Sequence, residues 1–167
     1  VYKIGGAANV TIATPIYDKI LQGKIALVTG GSSGIGFEIA KKFMQTGTKV
    51  IITGRNEDKL QQSAKDLGTD CCKYLVWDIS ETSSIDQKLK DCKYIFDGDI
   101  DILVNNAGIA PSKFFGNIDE TEWNKIYDIN LKGNYFLTQA LVKTWKQSAF
   151  TGYKKIINIS SQGGFVG

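Results

Sequence analysis

Short runs of consecutive apolar residues alternate, along most of this chain, with longer segments in which apolar residues recur at helical spacing. The runs predict five β-strands, at residues 25–29, 50–53, 73–77, 102–105 and 155–159. Continuous apolar runs are typical of parallel strands that are covered on both faces. The intervening segments are long enough for crossover helices, so the pattern predicts an α/β fold built on a doubly wound parallel sheet.

Four helices are predicted between these strands. Asn56 can cap the second helix, and the fourth, over about residues 121–145, is the longest. Gly47 and Gly68 follow the first and second helices as candidate C-caps. The apolar stripes that predict the helices are Ile35, Ile39 and Phe43; Leu60, Ala64 and Leu67; Ile85, Leu89 and Cys92; and Trp123, Ile126, Tyr127, Leu137 and Leu141.

Residues 1–20 lie outside this pattern, because "GGAANVTIATP" mixes turn-forming residues with a short apolar stretch. They are predicted to form an N-terminal arm, which is followed by a domain over residues 21–167. A chain of 167 residues with 43% apolar content fits one domain with one core.

The composition excludes several classes of function. The net charge of +3 arises from 20 basic and 17 acidic residues without charge runs, which argues against nucleic acid and against a membrane surface as partners. No segment approaches the ~18 consecutive apolar residues of a membrane-spanning helix. The chain has no histidine, and its cysteines lack the spacing of zinc ligands, so we expect no metal site and no Ser-His-Asp triad.

The cysteines bear on the cellular setting. Cys71, Cys72 and Cys92 cannot all pair with one another, and adjacent cysteines are poorly placed to form a disulfide. Unpaired cysteines are typical of a reducing compartment. The sequence therefore predicts reduced cysteines and a cytoplasmic location.

A glycine-rich turn, "TGGSSGIG" at residues 29–36, joins the first predicted strand to the first helix. Gly30, Gly34 and Gly36 allow the backbone to turn sharply and to approach a ligand closely. The helix that follows directs its free N–H groups and the positive end of its dipole at a phosphate. The spacing is G-x-x-x-G-x-G, which differs from the G-x-G-x-x-G dinucleotide fingerprint. The alternative is an ordinary glycine-rich turn between a strand and a helix.

Three further residues of this turn can donate hydrogen bonds to phosphate oxygens. Ser32 and Ser33 carry hydroxyls, and Ile35 offers its backbone N–H. The serines are otherwise explained as turn formers.

The turn resembles the cofactor turn of the short-chain dehydrogenase/reductase family, which reads T-G-x-x-x-G-x-G. Other segments that look like the family's follow in order: "WDIS" at residues 77–80, "NNAG" at 105–108 and "INLKGNYFLTQAL" at 129–141. The resemblance implies a Rossmann-type fold and a nicotinamide cofactor. It also implies a homodimeric or homotetrameric enzyme that reduces a small-molecule ketone or 3-oxoacyl group to an alcohol, as 3-oxoacyl-[acyl-carrier-protein] reductases do, or catalyses the reverse.

Arg55 bears on the choice of cofactor. In nicotinamide-binding folds, an acid about 20 residues after the glycine turn commonly binds the ribose hydroxyls of NAD. Here the second strand ends in "IITGRN", with Gly54 at that place, and the next residue is the only arginine of the chain. A guanidinium can pair with a 2′-phosphate through two hydrogen bonds, whereas an acid would repel it. The sequence therefore favours NADP(H) over NAD(H); the alternative is a solvated arginine at a strand end.

The resemblance assigns five more residues to the cofactor site. Asp78 and Ile79 would line the adenine pocket, and Asn106, Ala107 and Gly108 would pass beside the ribose. Taken without the family, Asp78 is equally explained as a helix-capping acid after a strand.

Two polar residues are candidates for catalysis. In the family, the asparagine that matches Asn130 bends the long helix and holds a water in the proton relay; the alternative is a buried amide that bonds to local backbone or water. Ser161 matches the family serine that hydrogen-bonds the substrate oxygen and stabilises the charge that develops there. Its alternative role is to cap a turn after the fifth strand.

The family's general acid, a tyrosine in a Y-x-x-x-K pair about a dozen residues beyond the serine, has no match. None of the seven tyrosines has a lysine four positions later, and the last strands of the family fold are missing as well. The resemblance therefore implies a C-terminally incomplete reductase. The alternative is a catalytically silent NADP-binding sensor or scaffold. A sugar-nucleotide epimerase or dehydratase is disfavoured, because its glycine turn resembles T-G-x-x-G-x-x-G.

Overall fold

The computed structural model describes residues 2–4, 8–10, 19–111, 116–148 and 152–161. The strands in these ranges are β1 Tyr2–Ile4, β2 Ala8–Val10, β3 Ile25–Thr29, β4 Lys49–Gly54, β5 Cys72–Val76, β6 Ile102–Asn105 and β7 Lys155–Asn158. The α-helices are α1 Gly34–Gln45, α2 Glu57–Leu67, α3 Ile85–Phe96, α4 Glu120–Tyr127 and α5 Asn134–Gln147. A 3₁₀ turn, Thr82–Ser84, precedes α3, and a π-helical segment, Asp128–Gly133, joins α4 to α5.

Five strands form one parallel sheet in the order β5-β4-β3-β6-β7. The chain runs outwards from β3 in one direction through β4 and β5, and then crosses over to β6 and β7. The strand order therefore reverses between β3 and β6, which is where open α/β sheets bind ligands beyond the carboxyl ends of their strands. The predicted doubly wound, Rossmann-type α/β fold is confirmed, with all five strands at the predicted places.

Two apolar layers cover the two faces of the sheet. Every second residue of a strand points to the same face, so adjacent core residues belong to different layers. The layer under α3 and α5 contains Leu27, Ile51, Leu103, Cys92 and Leu137, all buried. The layer under α1 and α2 contains Val28, Ile52, Val104, Ala40 and Leu60, also buried. Each fully buried Leu or Ile contributes roughly 1.5–3 kcal/mol to folding.

Both edge strands depart from the predicted burial: β5 is buried only at Cys72, and β7 departs further. The apolar run of β7 predicts a strand covered on both faces, but Ile156 and Ile157 are 38% and 40% exposed. The reason is that β7 lies at the edge of the sheet, paired with β6, and in the described ranges no helix packs over it.

The first two helices follow the predicted pattern with one correction. The side chain of Asn56 accepts a hydrogen bond from the N–H of Lys59 at 2.9 Å, which confirms it as the N-cap of α2. In α1, however, Ile35 is 65% exposed. The fully buried residues of that helix are Gly36 and Ala40, and the predicted Ile39 and Phe43 are partly buried and pack against the core, so the predicted stripe is wrong at Ile35 only.

The predicted fourth helix has its predicted extent, and its predicted face is confirmed at Leu137 and Leu141 but is wrong at Trp123 and Tyr127. Trp123 is 63% exposed and Tyr127 is also exposed, because the π-helical segment inserts extra residues and changes the phase of the helix. The residues that do pack on the core recur every four positions: Ile129, Gly133, Leu137 and Leu141. No described helix of the chain is both long and apolar enough to cross a membrane.

The N-terminal segment contributes a separate feature. Strands β1 and β2 pair antiparallel, with Tyr2 opposite Val10, and form a sheet of their own. The remainder of residues 1–18, and the "QGGFVG" segment at residues 162–167, lie outside the described residues. The division into an arm, residues 1–20, and a domain, residues 21–167, stays a prediction.

The three cysteines differ in accessibility. All are free thiols; Cys71 is exposed, whereas Cys72 and Cys92 are buried. Burial raises the pKa of both buried thiols to about 12, with a further contribution from Cys71 for Cys72 and from Asp91 for Cys92.

We expect a maleimide at neutral pH to label one thiol rapidly in the folded protein and three after denaturation, because the thiolate is the reactive form. Mass spectrometry of the labelled protein over time measures this. In Cys71→Ser the rapid phase should disappear. Rapid labelling of two thiols in the folded wild type would contradict the burial of Cys72 or Cys92.

Candidate cofactor-binding site

A cavity of about 250 Å³ lies at the carboxyl edge of the sheet, next to the point where the strand order reverses. Eight of the twelve residues predicted to bind the cofactor line this cavity. They are Gly30, Ser32, Ser33, Arg55, Asp78, Ile79, Ala107 and Gly108. Residues that lie 78 positions apart in the sequence, such as Gly30 and Gly108, are thus brought to one place by the crossover connections.

The glycine turn has the backbone that the pattern predicts. Gly30 and Gly34 have φ angles of 65° and 55°, in the left-handed region that favours glycine. An added Cβ at Gly30 would lie 3.0 Å from the Cα of Ala107, so the turn also needs glycine to fit against the chain that leaves β6.

Gly36, the third glycine of the motif, has a packing role. It is buried in the first turn of α1, and a Cβ there would lie 2.5 Å from both the carbonyl oxygen of Gly30 and Nδ2 of Asn106. The helix can therefore begin directly over the turn only if this residue has no side chain. Gly34, Ile35, Gly36 and Asn106 do not line the cavity.

The start of α1 is open to an anion. Ser33 occupies the N-cap position but makes no capping hydrogen bond with its side chain, and the first turn has no acidic residue. By contrast, Asn56 caps α2 and Asp119 caps α4. The N–H groups at the start of α1 are therefore available to a phosphate, as in other helix termini that bind phosphates.

A network of hydrogen bonds fixes the glycine turn to the "NNAG" segment. The hydroxyl of Thr29, which is fully buried, accepts the N–H groups of Asn106 and Ala107 at 3.0 and 2.9 Å and donates to the carbonyl of Val104 at 3.2 Å. In return, Nδ2 of Asn106 donates to the carbonyls of Thr29 and Gly30 at 2.9 and 3.2 Å. Thr29 and Asn106 thus position the two segments that flank the crevice.

The other wall of the cavity carries the charged groups. Nη1 of Arg55 lies 3.9 Å from Oδ2 of Asp78, and the Arg55 side chain is 57% exposed. The long contact and the exposure leave the guanidinium free to turn towards a ligand. No group of three potential metal ligands occurs among the described residues.

Asp78 has a local structural role as well as a place in the cavity. Its Oδ1 accepts the backbone N–H of Ser80 at 3.0 Å and the Ser80 hydroxyl at 2.7 Å. The residues alone indicated a helix-capping acid, but Asp78 closes a turn at Ser80 instead, since the N-cap of the 3₁₀ turn that follows is Glu81. Its Oδ2 faces Arg55, so both roles are compatible in the same side chain.

The side chain of Asn130 is bound to the backbone of one residue. Its Oδ1 accepts the N–H of Ile109 and its Nδ2 donates to the carbonyl of Ile109, both at 2.8 Å. Asn130 lies within the π-helical segment, where the resemblance implies a bend. π-Helical turns occur frequently at functional sites. The contact holds Ile109, which lines the cavity, in place.

Ser161 lies three residues beyond the end of β7, on the same edge of the sheet, and is exposed. The end of β7 is fixed to its neighbours, because Nδ2 of Asn105 donates to Oδ1 of Asn158 at 2.8 Å and to the hydroxyl of Thr138 at 2.9 Å. Neither Ser161 nor Asn130 lines the cavity. Their catalytic roles stay predictions.

Five residues of the cavity wall were not predicted from the sequence: Thr53, Gly54, Trp77, Ile109 and Ile129. Four of them are immediate neighbours, in the chain, of residues that were predicted. Their position at the ends of strands, or within the motifs already identified, could have predicted them, because the carboxyl ends of neighbouring parallel strands meet at one edge of the sheet. Thr29 was missed for a different reason, because it acts on partners that lie far away in the sequence.

Comparisons with known proteins agree with this geometry. A family profile described as short chain dehydrogenase matches residues 24–167. An NADP-dependent (R)-specific alcohol dehydrogenase of Lentilactobacillus kefiri is 40% identical over 148 residues, which cover 88% of this chain and 58% of that protein. An uncharacterized oxidoreductase of Staphylococcus aureus (strain N315) is 37% identical over 146 residues, covering 87% of this chain and 62% of that protein.

A solved structure described as a short chain dehydrogenase/reductase family protein superposes with a TM-score of 0.74 at 34% identity. The superposition covers 86% of this chain and 57% of the chain in that structure. The chain thus spans about three fifths of the length of the relatives that it matches.

The doubly wound sheet, the glycine turn at its crevice and the matched family profile agree: the chain belongs to the short-chain dehydrogenase/reductase family. The family resemblance stated from the sequence motifs is thereby confirmed.

Proposed function

We propose that this chain is the cofactor-binding part of an NADP(H)-dependent oxidoreductase that interconverts a small-molecule carbonyl, such as a ketone or a 3-oxoacyl group, and an alcohol. The observation that carries the proposal is the cavity between the glycine turn and Arg55, whose wall has Gly54 where an NAD-binding fold commonly has an acid, followed directly by the Arg55 cation. The NADP dependence named for the Lentilactobacillus kefiri relative supports it.

The residues present fit such a cofactor. Gly30 and Gly34 shape a turn that a phosphate can approach, and the uncapped start of α1 offers N–H groups to the pyrophosphate. Arg55 would pair with the 2′-phosphate, and Ile79 and Gly108 would contact the adenosine and the neighbouring ribose. When bound, the reduced cofactor supplies the hydride.

The chain's own contribution to chemistry would come from two residues. The Ser161 hydroxyl would donate a hydrogen bond to the substrate oxygen, where negative charge develops. Asn130 would act as a positioning residue, because both ends of its amide hold the backbone of Ile109 at the cavity wall.

A cytoplasmic homodimer or homotetramer is part of the same proposal. Free cysteines support the reducing setting. The exposed aromatic residues of α4 and α5, which include Trp123 and Tyr135, support an interface on the long helix.

Arg55→Ala tests the proposal. We expect the Kd for NADPH to rise about tenfold, since a charge-assisted hydrogen bond typically contributes about 1.5–3 kcal/mol and this one is largely exposed. The Kd for NADH should stay unchanged. Titration of the cofactor fluorescence at two ionic strengths measures both constants. The difference in the Kd for NADPH between the wild type and Arg55→Ala should be smaller at high salt.

Arg55→Lys is the matched control, because it keeps the charge and loses the planar pair of donors. Its Kd for NADPH should lie between those of the wild type and Arg55→Ala. Tighter binding of NADH than of NADPH by the wild type, or an unchanged Kd for NADPH in Arg55→Ala, would refute the NADP(H) assignment.

A further inference from the structure

The hydroxyl of Ser63 joins helix α2 to the glycine turn. Ser63 lies within α2 and is 6% exposed, and its Oγ donates to the carbonyl of Ser32 at 2.9 Å. Ser63 does not line the cavity that contains Arg55. It lines a separate groove between α1 and α2, together with Ser32 and Ser33. Ser63 therefore reaches the turn from outside the cofactor cavity.

Serine is not the residue that this position of a helix favours. Alanine has the higher helix propensity, and a buried hydroxyl without a partner is costly. A serine within a helix commonly bonds to the carbonyl four residues earlier. The Ser63 hydroxyl instead donates to another element, whereas its neighbours Leu60 and Ala64 pack in the apolar layer. The hydroxyl thus serves the turn and not its own helix.

The carbonyl that Ser63 holds belongs to the peptide that joins Ser32 to Ser33. A trans peptide is planar, and its C=O and N–H point in opposite directions; the described residues contain no cis peptide bond. Because the carbonyl of Ser32 is directed at Ser63, the N–H of Ser33 is directed away from α2. Ser33 is exposed, and its N–H donates no hydrogen bond to the described residues. Ser63 thereby fixes the orientation of a free donor.

The same peptide borders the cavity. Ser32 and Ser33 both line it, as does Arg55. Ser32 lies beside the end of β4, since a Cβ added to Gly54 would be 3.6 Å from Oγ of Ser32. Ser33 also precedes the uncapped start of α1. The peptide thus lies between the two parts of the wall that are expected to bind phosphates.

We propose that Ser63 is a positioning residue for cofactor binding: through the carbonyl of Ser32, it holds the Ser32–Ser33 peptide so that the N–H of Ser33 meets a phosphate of the cofactor. This rests on the proposed function. The phosphate is the 2′-phosphate or the pyrophosphate, because Arg55 and the start of α1 both lie next to the peptide. Without the hydroxyl, this donor has to be ordered when the ligand binds, which weakens binding.

Ser63→Ala tests the proposal in the intact chain. Titration calorimetry should show the Kd for NADPH raised about three- to tenfold, as for one lost hydrogen bond. Ser63→Thr keeps the hydroxyl and should bind NADPH as the wild type does, because the open groove has room for a methyl group. If Ser63→Thr binds as weakly as Ser63→Ala, the hydroxyl is not the positioning group.

Ser148→Ala is the matched control. It also removes a serine hydroxyl that donates to a backbone carbonyl, that of Trp145 at 3.0 Å, but at the end of α5. Its Kd for NADPH should equal that of the wild type. A Ser148→Ala variant that loses as much affinity as Ser63→Ala would show that the loss does not depend on the glycine turn, and would overturn the proposal.

Three ligands identify the phosphate. NADPH carries both the 2′-phosphate and the pyrophosphate, NADH carries only the pyrophosphate, and adenosine 2′-monophosphate carries only the 2′-phosphate. In Ser63→Ala, a loss of affinity for NADPH and NADH alone assigns the pyrophosphate. A loss for NADPH and the monophosphate alone assigns the 2′-phosphate. Equal losses for all three would place the effect on the adenosine that they share, as a merely structural role would, and would overturn the proposal.

The backbone amide of Ser33 gives a readout at the donor itself. In nitrogen-15 NMR of the wild type, NADPH should move the Ser33 amide proton downfield, because a hydrogen bond to a phosphate forms there. A Ser33 signal that stays in place while the amides of Gly30 and Gly34 shift would overturn the proposal. This measurement needs no variant, so it applies even if Ser63→Ala fails to fold.

The outcomes separate this proposal from the proposed function. If NADPH binds and shifts the amides of Gly30 and Gly34, but Ser63→Ala keeps the wild-type Kd, the assignment of Ser63 is wrong and the proposed function stands. If NADPH neither binds nor shifts the glycine turn of the wild type, the proposed function fails, and this inference fails with it.

Discussion

Replacing Gly133 by alanine should destabilise the protein by about 3 kcal/mol, at the upper end of the usual cost of overpacking. Gly133 is the last residue of the π-helical segment and is buried. A Cβ at this position would overlap the carbonyl oxygen of Ile79 and would lie 2.8 Å from its carbonyl carbon and 3.0 Å from its Cγ1. Because the obstacle is backbone, no side-chain rotation can relieve the contact.

The same substitution should weaken cofactor binding. Ile79 follows Asp78 on the cavity wall, so a displacement of its backbone deforms the proposed adenosine pocket. Thermal unfolding should show a Tm lowered by about 6–12 °C, from about 2–4 °C per kcal/mol in a domain of this size. Titration with NADPH well below that Tm should show an increased Kd.

Gly54→Ala is the matched control, since Gly54 lines the same cavity. An added Cβ there would meet the Leu60 and Ser32 side chains at 3.6 Å, which is ordinary van der Waals contact. We expect its Tm to stay within about 2 °C of the wild type, as for substitutions without strain. A Gly133→Ala variant as stable as Gly54→Ala would show that the long helix does not pack on Ile79 as described.

The sequence predicted the sheet well because its strands are buried runs with clear boundaries. Strands β3 and β6 begin and end at the predicted residues, and both are buried along their whole length. The predicted burial is wrong for the two edge strands, most of all for β7, whose apolar residues are exposed although they are of the same kind as those of β3 and β6. The apolar residues of a strand show that it can be buried. Whether both of its faces are covered depends on its place in the sheet.

The buried face of the long helix was predicted correctly at Leu137 and Leu141 but not before the π-helical segment, because the periodicity argument assumes 3.6 residues in every turn. The π-helical segment breaks that assumption at Asp128–Gly133. Trp123 and Tyr127, which precede it, therefore fall out of phase with Leu137 and Leu141, which follow it. The family resemblance implied a bend at Asn130, which lies in the π-helical segment. The apolar pattern gave no sign of that bend.

The candidate site was predictable where one residue type is required locally and not where partners are distant. Gly30 and Gly34 have positive φ angles that any close phosphate-binding turn of this kind demands. Thr29 acts through Asn106 and Ala107, which lie 77 and 78 positions later in the chain. Trp77 lines the cavity because β5 ends there, a placement that follows from the topology of the sheet and not from its residue type.

The largest loss of stability without loss of binding is expected from Asp101→Ala. Asp101 is 8% exposed and lies at the amino end of β6, opposite the carboxyl edge that carries the site. Its Oδ1 lies 3.3 Å from Nζ of both Lys24 and Lys154, and its Oδ2 accepts the N–H of Ile25 at 3.0 Å. One carboxylate thereby ties together the starts of β3, β6 and β7.

Removing this carboxylate takes the counter-charge from Lys154, whose side chain is only 9% exposed, and the acceptor from the N–H of Ile25. Breaking a buried ion pair from one side typically costs about 3–5 kcal/mol, so we expect a loss of about 3 kcal/mol in urea unfolding with an unchanged m-value. The Kd for NADPH should stay the same where the variant is folded, because the contacts of Asp101 and the cavity lie at opposite ends of the strands.

Lys24→Met tests the exposed ion pair of Asp101 with Lys24 separately from its buried contacts with Lys154 and Ile25. The Lys24 side chain is 41% exposed, and a pair of that kind contributes at most about 1 kcal/mol. If Lys24→Met costs as much stability as Asp101→Ala, the contact with Lys154 and Ile25 is not what holds the strand ends. If Asp101→Ala raises the Kd for NADPH while folded, the two ends of the sheet are coupled, and stability and cofactor binding cannot be assigned to separate edges of it.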